Sequence, residues 1–108
     1  MNQDQSRRIL ENIERSSHQD LSAEVVALAV AYARIRVDWL LAERSVRRDL
    51  EDKRTRAHDA FIDSLNILSR AESRSGGGIG WREQLGTDRK RIGDFACQVH
   101  ALLGLRAG

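Results

Sequence analysis

The first seventy-five residues of this 108-residue chain contain neither glycine nor proline; all eight glycines lie from Gly76 onward, and there is no proline. Those are the two strongest breakers of regular structure, and the stretch that lacks them is rich in Ala, Leu, Arg and Glu. Helix is the expected outcome. The chain is long enough for one domain with a modest core, so the sequence predicts a single all-α domain over residues 1–108. It is expected to be a small helical bundle: two long antiparallel helices, residues 21–45 and 46–74, with short N-terminal and C-terminal helices packed on them.

Periodicity supplies the detail. Ile9, Leu10 and Ile13 stand at helical spacing in a first helix over about 4–15, with a polar turn, Ser16 to Asp20, closing the N-terminal segment 1–20. Asp20 or Ser22 is the expected cap of the second helix. On that helix Leu21, Val25, Leu28, Tyr32, Ile35, Trp39, Ala42 and Val46 form one apolar stripe. Val26, Val30, Ala33, Val37, Leu40 and Leu41 form a second, nearly opposite. A helix apolar on two faces has to be covered on both. The next turn is expected between Glu43 and Asp49, capped by Ser45 or Asp49, because an unbroken helix to residue 74 leaves both stripes bare. Leu50, Ala57, Phe61, Leu65 and Leu68 line the third helix. A glycine-rich loop, 75–88, separates it from a last helix capped by Thr87 or Asp88, carrying Ile92, Phe95, Ala96, Val99, Leu102 and Leu103, and ending at Gly104.

Charge and cysteine content exclude several classes. Eighteen basic residues against sixteen acidic ones leave a net charge of +2, too little to imply a polyanionic partner. A single cysteine, Cys97, permits no internal disulfide and no multi-cysteine zinc site. The longest apolar run, Val25 to Ala33, is nine residues, against roughly 20 for a membrane span. No signal-peptide pattern opens the chain, and the expected location is cytoplasmic. Gly76 to Gly80 lacks the Gly-Lys-Ser/Thr of a phosphate loop and the preceding strand of a dinucleotide fingerprint.

Polar residues on apolar faces are the candidates for function. Arg54 falls within the arc of Leu50, Ala57 and Phe61, and His58 falls between Leu65 and Ile62. Each needs a partner if buried, and Glu43, Asp49 or Asp94 are the carboxylates expected to meet them. Arg36, Arg54 and His58 together are the candidate lining of a small-anion or nucleotide pocket. His58-Asp59 is not a metal pair, since neighbouring side chains on a helix diverge by about 100° and a metal needs three or four convergent ligands. Cys97 and His100 lack a third residue to orient them as a nucleophilic pair. The sequence therefore supplies no catalytic residue, no metal site and no cofactor. Arg44 to Arg56 is the densest basic segment, six cations against three acids, but its interleaved acids argue against nucleic-acid binding.

Three stretches bear a resemblance: Arg54 to Ala60 running on to Asn66, Trp81-Arg82-Glu83-Gln84-Leu85-Gly86, and Arg89 to Cys97. Over roughly residues 20–104 they resemble a family of small bacterial proteins catalogued only as a domain of unknown function. The resemblance implies a bacterial helical protein and carries over no functional residue. From the residues themselves, the leading expectation is a non-enzymatic module that self-associates, a dimer favoured, through Val26, Val30, Val37, Leu40 and Leu41. Small-anion binding is the alternative, and nucleic-acid binding through Arg44–Arg56 a further one.

Overall fold

The computed structural model describes residues 3–74 and 88–107. Those residues form four helices and no strand: α1 (Gln3–Glu14), α2 (Gln19–Leu41), α3 (Arg44–Arg74) and α4 (Arg89–Ala107). The expected glycine loop, its Trp81–Leu85 turn and the Thr87 cap lie outside the described residues. Asp88 does cap α4, its Oδ1 accepting the Lys90 backbone N–H at 2.9 Å. Gly104 does not end that helix. Solvent surrounds it, and α4 continues through it to Ala107.

The turn between the two long helices comes earlier than expected and takes only Ala42 and Glu43. Ser45 and Asp49 therefore lie inside α3 and cap nothing. Ala42 leaves the helix in an extended conformation (φ −76°, ψ 151°). What replaces a terminal glycine is Arg47. Its Nε donates to the Trp39 carbonyl at 3.0 Å and its Nη2 to the Leu40 carbonyl at 2.9 Å. The guanidinium satisfies two carbonyls that a helix C-terminus leaves open, and places positive charge at the negative end of the helix dipole. The same guanidinium lies 4.8 Å from the centre of the Trp39 ring.

The polar turn between α1 and α2 is knitted by side chains. Ser16 Oγ accepts the His18 backbone N–H at 3.0 Å. The Ser22 hydroxyl, inside α2 and not at its cap as expected, donates to the Ile13 carbonyl at 2.6 Å. His18 occupies the cap position without a side-chain bond. Glu72 of α3 then ties this turn to the rest, accepting from the Ser16 hydroxyl and sitting 3.0 Å from His18 Nδ1.

Contacts between α2 and α3 run in opposing order: Trp39 with Arg54, Tyr32 with His58 and Phe61, His18 with Glu72. Helix α3 alone, 31 residues at about 1.5 Å each, accounts for the 48 Å long axis. The core is built from Ile9, Leu10 and Ile13 of α1, Val25, Ala29, Tyr32 and Ala33 of α2, Phe61, Leu65 and Leu68 of α3, and Ile92, Phe95, Ala96, Val99 and Leu102 of α4. Three aromatic rings join the helices: Phe61 stacks on Phe95 at 6.2 Å and tilts against Tyr32 at 6.3 Å.

Neither stripe of α2 is buried as a whole. The buried arc, Ser22, Val25, Ala29, Tyr32 and Ala33, takes Val25 and Tyr32 from the first stripe and Ala33 from the second. Helix α2 sits in the groove between α3 and α4, so the side facing both is the dry one. Leu28 and Ile35 are half-buried on one rim of that arc, and Val26 and Val30 on the other.

Phe61→Ala is expected to lower the unfolding free energy by about 3–5 kcal/mol, and Ile67→Ala on the exposed face of α3 by less than about 0.5 kcal/mol; urea denaturation compares them. The hydroxyl of Ser16 foremost, and then His18, hold the Glu72 carboxyl below its ordinary value of 4.5. A depressed native pKa stabilises the fold above the unfolded value, and that contribution fades as pH falls through the native one. The stability deficit of Glu72→Gln should accordingly be whole at pH 7 and shrink on acidification below about 4.5, followed by denaturant titration at each pH.

Candidate functional site

Of the three residues expected at an anion site, the structure brings two together. Arg36 and Arg54 line a cavity of about 270 Å³ with Tyr32, Trp39 and Leu40 of α2 and with Arg89 and Lys90 of α4. His58 is not in its lining; it lies beside Tyr32, edge-on to the ring at 5.5 Å. Arg89 and Lys90 reach the cavity because Asp88 starts α4 there, a placement that chain position alone did not disclose.

Each arginine is held by its own device. Arg54 is a helical neighbour of Glu51, which accepts from its Nη2 at 2.8 Å, and its guanidinium covers the Trp39 ring at 4.2 Å. Neither Glu43 nor Asp49, at the start of α3, takes that place, and Asp94 serves another residue. Arg36 crosses from α2 to α4, donating to Asp94 Oδ1 at 3.0 Å and to Cys97 Sγ at 3.5 Å. Burial works against its charge, but the bonds to Cys97 and Asp94 outweigh it and raise its pKa further. The α4 helix comes this close because position 93 is glycine: a Cβ there would stand 2.9 Å from Arg36 Nε and 3.0 Å from its Cζ.

Electrostatically the cavity is cationic. Glu51 offsets Arg54, and Asp94 offsets Arg36. Arg89 donates to the Thr55 hydroxyl at 3.1 Å, and among the described residues no carboxylate lies within 4 Å of Arg89 or of the Lys90 ammonium. Two positive charges are therefore left over. The hydrogen bond from Arg54 in the first place, then its charge, hold the Glu51 carboxyl below the usual range, and Arg89 contributes at longer reach. Among the described residues, Arg54 Nε, Trp39 Nε1 and His58 Nε2 are buried without a hydrogen-bond partner by geometry. The Trp39 N–H lies close enough to the Glu51 carboxylate to help hold its pKa down. An unpaired buried N–H costs about 1–3 kcal/mol.

The residues expected to self-associate divide in two. Val26 and Val30 are half-buried on the rim of the core. Val37, Leu40 and Leu41 are 44%, 52% and 81% exposed, joined across the turn by Val46 of α3. Beside Val37 lies a larger hollow of about 400 Å³ lined by Ala33, Arg34, Val37, Asp38, Cys97 and His100. In the basic segment, Arg47 is spent on the α2 carbonyls, Arg54 on Glu51 and Arg56 on Asp52 at 2.7 Å. That leaves Arg44, Arg48 and Lys53 as its exposed, unpaired cations. Among the described residues, no group of three or more His, Cys, Asp or Glu side chains is arranged to hold a metal. Compared with known proteins, the chain matches no family model, no curated protein and no solved structure.

Gly93→Ala and Gly104→Ala separate the two roles of glycine in α4. Gly104→Ala meets open space and should gain about 0.5–1 kcal/mol from helix propensity. Gly93→Ala should forfeit that gain by pushing Arg36 off Asp94. Paired thermal melts check both.

Proposed function

We propose that this protein is a non-enzymatic interaction module that pairs with a second copy of itself, through the C-terminal half of α2, within a bundle whose two long helices are antiparallel. The opposing order of the α2–α3 contacts supports the architecture. The self-association rests on one observation: Val37, Leu40, Leu41 and Val46 all stand in solvent at one end of the molecule. Scattered apolar residues are ordinary on protein surfaces, but a contiguous group is characteristic of interaction sites.

Charge favours a second copy as the occupant. Arg34 and Asp38 flank Val37 four residues apart, both exposed, and among the described residues neither has an ion-pair partner. A two-fold axis near residue 36 sets Arg34 of each copy against Asp38 of the other and brings the valines alongside. Among the described residues no helix is long and apolar enough to cross a membrane.

Light scattering at tens of micromolar should report a dimer, and Val37→Glu combined with Leu41→Glu should report a monomer of unchanged helicity. A parent chain that stays monomeric at about 100 µM, where an interface worth 6 kcal/mol is more than half formed, overturns the proposal.

A further inference from the structure

The cationic cavity is a separate matter from the apolar end of α2 and stands on different observations. We infer that it binds a phosphate group, free or as the terminal phosphomonoester of a small molecule. Three features converge. The cavity carries two positive charges beyond those its own carboxylates offset, which matches a dianion. Its lining carries Arg36, Arg54, Arg89 and Lys90, whose charged groups are N–H donors only, and a phosphate oxygen is an acceptor only. Its volume, about 270 Å³, lies just under the range of roughly 300–1,000 Å³ typical of sites for drug-sized ligands. It suits a phosphate with a short organic stem and excludes a dinucleotide.

The guanidiniums are also preorganised. Arg54 is fixed between the Trp39 ring and Glu51, and Arg36 between Gly93 and Asp94. Planar forks held in place lose little freedom on meeting a phosphate, and such charge-assisted bonds are the stronger kind. Arg89 and Lys90, on the open side, supply the mobile part of the site and its attraction at a distance. Trp39 has its face covered by Arg54, so the ring positions a cation and does not stack on a base.

Isothermal titration calorimetry of the full chain, at constant ionic strength with chloride as the reference salt, tests this with inorganic phosphate and glycerol phosphate in separate arms. Saturable binding below about 5 mM is expected for at least one of them. If glycerol phosphate binds the tighter, the ligand is an ester; if inorganic phosphate does, it is the free ion. Replacing the exposed pair, Arg89→Gln with Lys90→Gln, should weaken binding about tenfold or more. Removing two equally exposed charges elsewhere, Arg7→Gln with Arg70→Gln, should change it less than about twofold. No saturable heat up to about 20 mM of either compound, or equal weakening in both double variants, overturns the assignment. A duplex oligonucleotide that binds while neither small phosphate does also overturns it, in favour of a diffuse basic surface.

Discussion

Everything in this molecule hangs on the meeting of three aromatic rings, Tyr32, Phe61 and Phe95, each fully buried and each from a different helix. With only five aromatic residues in the chain, three of them spent at one junction is a concentrated investment in apolar area. Such rings bury roughly 150–250 Å² each, several times the area of an alanine. They hold α2 in the groove between α3 and α4, and that placement decides the rest. Arg36 faces α4 and finds Asp94. Trp39, two turns beyond Tyr32, faces α3 and receives Arg54.

The same placement explains why polar chemistry collects where the core runs out. Tyr32 is the last large residue of the dry arc on α2. Beyond it the helices still touch, but α4 begins at Arg89, and among the described residues no further apolar side chain of α4 lies before that point. Guanidiniums fill the space instead. An arginine can lay its stem along apolar neighbours and keep its head hydrated, so it suits the border between core and water. Past that border α2 and α3 project together as a pair, and Leu41 and Val46 are left bare near their tip.

Much of the fold was legible along the chain. Ile9, Leu10 and Ile13, the Phe61–Leu65–Leu68 face and the Ile92–Val99 face are all buried, because a short amphipathic helix with one apolar side has only one way to dock. The turn at Ala42-Glu43 was not legible. It uses no glycine and no polar cap, but a guanidinium from one turn into the next helix, and Arg47 gives no local sign of that duty. Nor was the pairing of Arg36 with Asp94, fifty-eight positions away. The candidate site divides in the same way. Arg54 stood out as a charge on an apolar face and Arg36 as a cation beside the apolar stripes of α2, whereas Arg89 and Lys90 resemble any exposed cations in a first helical turn. Asp94, the carboxylate expected near Arg54, went to Arg36 because only that guanidinium crosses to α4.

The sequence by itself determined that the chain is helical, where its apolar positions recur and which ionisable groups would be awkward to bury. Those are consequences of local propensity and of a period of 3.6 residues, and neither needs a neighbour. Tertiary structure alone decided which arc of α2 is dry, which carboxylate each arginine meets and which cations share a cavity. A helix with two apolar stripes has two nearly equivalent ways to be covered. The choice between them belongs to the shapes of α3 and α4, whose Phe61 and Phe95 rings stack on each other while Phe61 meets Tyr32 of α2.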